Sequence, residues 1–493
     1  MKKLHILFLI IVTVITFSAS CKKNDSSNNP VPVVTKPIFN FNQDSLEFTI
    51  PGGSIILTDS MNGSRWDAVS DQTWCTLSAY SSNSATSQIT VTVTANPDRG
   101  VRTAKLTFVM DSKTVKYVYV SQDGRTTLYP SYNTSPINPD ATGMSSTAVQ
   151  LAANIKLGWN IGNTMEATGG ETAWGNPLIT ENYIKFVKQS GFNAIRIPCA
   201  WYSHMDNSST AHINADWLNR VKQVVQYCTD NGMYVLLNIH WDGGWLQNNC
   251  TLAKKDSVNA MQKAFWEQIA TTMRDFDEHL MFASANEPSV SDATQMAVLL
   301  SYHQTFIDAV RSTGGKNAYR TLVVQGPSTD IVTTNTLMNT LPTDVATNRM
   351  MVEIHNYTPS QFTILNGDAS WGKMFYYWGA GHHSTIEPDR NATWGEESDQ
   401  LTGFDYMKSK FIDQGIPVLM GEYGAYRRDG TANIPKDLPT HEASVDYWIT
   451  YVTQQAIAHG LKPFYWDTGG ILDRSSNTVK DQRSLDAIIA GGN

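Results

Sequence analysis

Cysteine is scarce, with five in 493 residues. Leaving Cys21 aside, Cys75, Cys199, Cys228 and Cys250 are too far apart for a disulfide framework, and none has metal-ligand spacing. A single isolated disulfide stays open. Charge is also sparse. Charged residues make up 17% of the chain and the formal net charge is −8. With no basic block, an acidic chain of this kind repels phosphate backbones, which excludes nucleic acid as a partner. Beyond the first twenty residues no apolar run is long enough to span a bilayer. There is no glycine-rich dinucleotide fingerprint, no internal repeat, and no cluster that calls for a metal or organic cofactor. What remains is ample core material, 41% hydrophobic, with 14 tryptophans and 20 tyrosines. Such aromatics serve either packing or sugar stacking, and position must decide.

The N-terminus carries an address. Lys2 and Lys3 precede an uncharged apolar run from Leu4 to Phe17, and Ser18, Ala19 and Ser20 lead into Cys21. That is a secretory signal, short for a span. It resembles a bacterial lipoprotein signal, although Ser18 stands where Leu is usual. The resemblance implies cleavage after residue 20, acylation of Cys21 and a lipid-anchored chain in the cell envelope, on an outer membrane facing the exterior. Residues 21–36 are polar and proline-containing and read as a tether.

From residue 37 to 124 short period-two runs alternate with Asn, Gly, Pro and Asp clusters, the pattern of a small immunoglobulin-like β-sandwich. The segments around Trp66, DQTWCTLSA (71–79), NPDRGVRTAKLTF (96–108) and YVSQDG (119–124) resemble the BACON domain. That resemblance implies either glycan binding or a spacer. Trp66 and Trp74 read as core, which favours the spacer. Residues 125–146 read as a linker.

From residue 147 to 493 eight apolar runs alternate with amphipathic helical segments. The runs are 155–160, 192–197, 233–239, 280–285, 321–325, 350–355, 416–421 and 462–466. Eight strand–helix repeats in that length predict a (β/α)8 TIM barrel, an α/β fold. A doubly wound sheet is the alternative. In a barrel, strand C-terminal ends point into the active site. Those ends carry Arg196, His240, Asn286 and Glu287, His355 and Tyr357, Glu422, and Trp466. Strands 4 and 7 lie on opposite sides of the mouth, so Glu287 and Glu422 can face each other as the two carboxyl groups that glycoside cleavage needs. Asn286 is placed to hold a sugar 2-hydroxyl. Arg196 and Tyr357 would keep a nearby carboxylate ionised.

The ordered set GWNIGNTMEA (158–167), ETAWGNP (171–177), GFNAIRIPCAW (191–201), NIHWDGGW (238–245), SANEPS (284–289), MVEIHNYTP (351–359), MGEYGAY (420–426) and PFYWDTGG (463–470) resembles glycoside hydrolase family 5, clan A. Its spacing suits the subfamily, usually numbered 4, of endoglucanases and xyloglucanases. The resemblance implies a retaining enzyme with Glu287 as acid/base and Glu422 as nucleophile. Arg196, His240, Asn286, His355 and Tyr357 would support them. Asn163, Glu166, Trp241, Trp245, Trp371, Trp378 and Trp466 would bind substrate. Many relatives carry a second His where Trp241 stands.

Residues 361–397 form a long insertion rich in aromatics, either a stacking wall for substrate or a self-packed loop. The expected partner is a β-glycan, xyloglucan ahead of cellulose, mixed-linkage glucan or mannan. The expected state is a monomer without metal or cofactor. A surface lipoprotein that only binds glycan is disfavoured, because a binder needs neither an acid nor a nucleophile.

Overall fold

The structure is a computed structural model, and it describes residues 36–96 and 98–493. The signal segment 1–20, Cys21 and all but the last residue of the tether lie outside the described residues. The chain divides into two compact units.

The first unit is a β-sandwich. One sheet has the order Phe39–Phe41, Gly53–Met61, Gln88–Val93, Cys75–Leu77. The other has the order Ser45–Phe48, Thr114–Gln122, Arg102–Met110, Trp66–Ser70, Ser81–Ser82. Period-two alternation makes each strand half-buried. Along Arg102–Met110 the side chains of Ala104, Leu106, Phe108 and Met110 turn inward. Trp66 is fully buried, its ring edge-on to Phe108 at 5.5 Å, and its indole donates to Asp59. Trp74 packs against the same core beneath the Arg102 guanidinium.

The second unit is a closed barrel of eight parallel strands in sequence order. We number them β1 (Gly158–Ile161), β2 (Ala194–Ile197), β3 (Tyr234–Asn238), β4 (Leu280–Ala283), β5 (Leu322–Gln325), β6 (Met350–Asn356), β7 (Val418–Tyr423) and β8 (Lys462–Asp467). Each of the eight predicted runs overlaps one of these strands. Side-chain alternation splits every strand between two environments. One set, including Trp159, Ile195, Val235, Leu237, Val324 and Val418, packs outward under the helices. The other fills the barrel interior. Its lower layers are apolar, with Ala194, Leu236, Met281, Met351, Leu419 and Phe464 packed on Leu151 and Ile155 of the segment that plugs the bottom. Gly158 belongs to this layer because any Cβ there would meet the Phe464 ring at 2.1 Å. Toward the strand C-terminal ends the same inward positions become Asn160, Arg196, Asn238, Gln325, Glu353 and His355, all buried.

The helix Ala148–Asn154 starts on a capping box between Thr147 and Gln150. In Ala215–Asp230 the buried face runs through Trp217, Val221, Val224, Val225 and Cys228, under an Asn214 cap. Leu218, next to Trp217, is only partly buried.

Residues 125–146 differ from the expected linker. Tyr132 N–H and Ser131 donate to Glu267, Ser146 to Glu278, and Arg349 to the Met144 carbonyl. A short strand, Ile137–Pro139, pairs with Gly314–Gly315. Polar residues hold this segment along the barrel by hydrogen bonds, which composition alone does not distinguish from a solvated linker. Cys75, Cys199, Cys228 and Cys250 are free and buried. No helix among the described residues is long and apolar enough to cross a membrane.

Candidate active site

Arg196, the last residue but one of β2, is a fully buried guanidinium, and the site is built around it. Its Nη1 donates to Glu422 Oε1 at 2.8 Å and to Asn160 Oδ1 at 3.1 Å. Its Nη2 donates to Asn286 Oδ1 at 2.9 Å. Its Nε lies 2.8 Å from Glu353 Oε1, an ion pair whose N–H is not aligned for a hydrogen bond. One rigid planar donor thus touches strands β1, β6 and β7 and Asn286 just past β4.

Strand β6 and the residue just past it supply three residues of one parity, Glu353, His355 and Tyr357, rising toward the mouth. Tyr357 donates its hydroxyl to Glu422 Oε2 at 3.0 Å. His355 Nδ1 is 2.8 Å from Glu287 Oε1 and 3.7 Å from Glu422 Oε2, and its Nε2 is 3.3 Å from Glu353 Oε1. One oxygen of Glu287, one of Glu422 and a ring nitrogen of His355 all lie within 4.8 Å of one another. The Glu422 side chain is buried, whereas that of Glu287 is 37% exposed to the mouth.

Burial pushes the His355 imidazole down, but Glu422, Glu287 and Glu353 outweigh it and raise it to about 9. Burial pushes the Tyr357 phenol well up, and the neighbouring carboxylates add to that. Burial drives His240 well below its ordinary value, helped by Arg196 and His355, so it is a neutral ring. It stacks on Trp466 with centroids 5.8 Å apart.

The two carboxyl groups compete. Burial raises Glu422, against the pull of His355 and Arg196. Burial also acts to raise Glu287, but the His355 hydrogen bond and charge hold it low. Those directions alone would leave the proton on Glu422. The donor geometry favours the reverse assignment. Both oxygens of Glu422 face donors, a guanidinium and a phenol, as an anion requires. Glu287 faces an imidazole nitrogen that can donate as imidazolium or accept as imidazole. The Glu287–His355 contact therefore holds one proton that can reside on Glu287 when a leaving oxygen arrives.

The spacing of Glu287, His355 and Glu422 would suit a metal ion, but the donors do not. His355 is held between Glu287 and Glu353, and Arg196 already pairs with Glu422.

Two hollows meet at Tyr357. One, of about 760 Å³, is lined by Trp466, Tyr426, Ile364 and Thr468. The other, of about 530 Å³, is lined by Glu287, Trp394, Ser328 and Tyr406. A general acid must reach the leaving-group oxygen, so the hollow containing Glu287 is the leaving-group side.

The expected binding residues divide. Trp466 lines a hollow, and Trp241 and Trp371 are exposed. Trp245 is half-buried, its ring edge-on to Phe265 at 5.3 Å. Asn163 is only partly buried, at a left-handed φ of 57°, and its carbonyl accepts from Asn176. Two expectations are corrected. Glu166 is buried and accepts the backbone N–H groups of Asn163 and Thr164, so it closes the turn after β1 and does not face a substrate. Trp378 is 0% exposed, packed on Tyr447 and Tyr451, with its indole donating to Gly395 O at 2.8 Å. Phe375, Tyr376 and Tyr377 of the insertion are likewise buried, and of its Trp, Phe and Tyr residues only Trp371 and Trp394 are exposed. A cluster of aromatics in a loop has the same composition whether it faces substrate or fills its own core.

The sequence reading passed over Glu353, Gln325, Asn160 and Gln247. Gln247 Oε1 accepts the Glu287 backbone N–H at 3.2 Å. A signal for Glu353 was available: a carboxylate inside an apolar strand, two residues before His355 and so on the same face.

A family model for cellulases of glycosyl hydrolase family 5 matches residues 160–470. A xyloglucan-specific endo-β-1,4-glucanase of Bacteroides ovatus is 32% identical, over 99% of this chain and 97% of its own length. The chain belongs to glycoside hydrolase family 5. A model of the BACON domain, described as a putative N-terminal binding domain, matches residues 64–123. Among solved structures, a family 5 xyloglucanase of Bacteroides ovatus in complex with a heptasaccharide aligns with a TM-score of 0.68 at 31% identity, over 93% of this chain and 100% of that one. A family 5 xyloglucan-specific β-1,4-glucanase from a ruminal metagenomic library aligns at 0.64 and 39% identity, over 70% and 96%. In this family 5 glycosidase, oxygens of Glu287 and Glu422 within 4.8 Å match the short separation of a retaining pair and leave no room for the water an inverting enzyme places between its carboxyl groups.

Proposed function

We propose that this chain is a retaining endo-β-1,4-glucanase that cleaves xyloglucan, with Glu422 as nucleophile and Glu287 as acid/base. The carrying observation is that short carboxylate separation, around an arginine that neutralises one partner only. Glu422 attacks the anomeric carbon while Glu287 passes its proton to the departing glycosidic oxygen. A glycosyl ester on Glu422 results. Glu287 then takes a proton from water, the water attacks the same carbon, and Glu422 leaves. Arg196 occupies Asn286 Oδ1, so the Asn286 Nδ2 group, with only a 3.4 Å contact to Gln247, is the donor for the 2-hydroxyl. Likeness to a xyloglucan-specific enzyme along 99% of the chain supports the substrate. So do wide hollows on both sides of Tyr357, which leave space for branches. The test is reducing-end release from xyloglucan, mixed-linkage glucan, carboxymethylcellulose and mannan. A kcat/KM on xyloglucan below that on any of the others defeats the substrate assignment and leaves the retaining mechanism standing.

The same reading places the enzyme on the cell surface as a monomer, held to the outer membrane by an acylated Cys21. The signal, the small residues before Cys21 and the polar tether support the anchor. Cys21→Ser should release the protein from membranes. A variant that stays with the membrane fraction overturns the anchor.

A further inference from the structure

We propose that Glu353 is a positioning residue of this active site, a third carboxylate that keeps Arg196 aimed at the nucleophile and His355 in its charged form beneath the acid/base. The role rests on the retaining reading above. Glu353 lies one layer below the reacting pair and is completely buried. Its Oε1 is 2.8 Å from Arg196 Nε and 3.3 Å from His355 Nε2, and its Oε2 accepts from Gln325 Nε2 at 2.6 Å. It therefore touches both cations of the site. Arg196 bridges it to Glu422, and His355 bridges it to Glu287.

Two backbone features make room for it. Pairing between β6 and β7 slips by one residue, so that Ile354 faces Met420 but His355 faces Glu422. The residue left over is Gly421, and a Cβ there would lie 2.0 Å from Glu353 Oε1. The bulge and the missing side chain thus seat a carboxylate directly under the nucleophile's own strand. Bulges re-aim side chains in this way beside active sites. An anion buried this deeply is costly unless paired and hydrogen-bonded, and its partners are the two cations that the reaction uses.

The consequence is electrostatic. His355 is faced by Arg196 from β2, His240 past β3, Glu287 past β4, Glu353 and Tyr357 from its own strand and its extension, and Glu422 from β7. Of the three anions, Glu287 and Glu422 change charge during turnover. Glu353 is the one that does not react, so it supplies a constant field holding the proton on the His355–Glu287 pair through both steps.

The experiment uses the full chain. Glu353→Gln keeps shape and removes the charge. Its kcat/KM profile should lose its basic limb about one pH unit or more earlier than wild type, as losing a contact charge requires. kcat should fall with KM little changed. Glu353→Asp should recover part of the limb. An unshifted limb in Glu353→Gln, or equal damage in Gln and Asp with unshifted profiles, overturns the proposal and leaves only a structural role. A second measurement needs neither a variant that folds well nor a substrate. In wild-type protein with labelled histidines, the His355 ring should stay doubly protonated up to pH about 9. Its titration near the ordinary value of about 6.5 overturns the proposal whatever glycan the enzyme cleaves.

Discussion

Replacing Arg196 with Met removes the cation beside the nucleophile while keeping an apolar stem in the barrel. The guanidinium nitrogen is 2.8 Å from Glu422, which puts the charge centres ~4 Å apart. At an effective dielectric of about 20 such a pair is worth ~4 kcal/mol, or about three pKa units. Relaxation and the remaining His355 charge absorb part of this, so the Glu422 carboxyl should rise by less than that limit. The sign is fixed by the physics. Burial already pushes this carboxyl up, and Arg196 opposes it. Without Arg196 the acid limb of kcat/KM moves to higher pH, toward the basic limb set by His355 at about 9. The bell narrows, and kcat/KM falls on its acid side, because less of the nucleophile is ionised there. Arg196→Lys keeps the charge and gives up the fork, so its acid limb should stay near wild type while kcat drops through lost positioning. The assay is the pH profile of both variants on one soluble glucan. Thermal midpoints are needed alongside, because orphaning a buried anion costs about 3–5 kcal/mol. An Arg196→Met enzyme with an unmoved acid limb would refute the claim that Arg196 keeps Glu422 ionised.

Glu422→Ala should abolish turnover, and azide or formate should restore it with inverted product. Glu287→Ala should impair poor leaving groups far more than activated aryl glycosides. If the two respond the other way round, their roles exchange. His355 should make stability pH-dependent. Its folded value of about 9 exceeds the ordinary ~6.5, so its contribution, on the order of 3 kcal/mol, is complete below about 6.5 and lost as pH rises through about 9. Calorimetry of wild type and His355→Gln across pH 6–10 should show curves that converge at high pH, and parallel curves would refute it. Trp378→Ala should cost about 3–5 kcal/mol as a core truncation, whereas the exposed Trp371→Ala should stay within about ±0.5 kcal/mol and, if that ring stacks on glycan, raise KM more than it lowers kcat. Equal thermal midpoints for the two would contradict the buried placement of Trp378.

The sequence by itself determined the barrel, its eight strands and the two glutamates. Burial on both faces writes each barrel strand as an apolar run, and polar residues at the run's end can be placed because every parallel strand points its C-terminus to the same mouth. Glu287 and Glu422 follow from that rule with no knowledge of distance. The tertiary structure alone decided which polar residues join them. Glu353 and Gln325 lie inside apolar runs, where local pattern cannot separate a satisfied buried carboxylate from a misread strand, and their partners come from strands up to 157 positions distant, as Arg196 does from Glu353. It also decided the fate of the aromatics. Trp371 and Trp378 lie seven residues apart in one insertion, and one is 65% exposed while the other is fully buried. A tryptophan's composition is the same in either place, and only the fold around it determines whether its face meets Tyr451 or solvent.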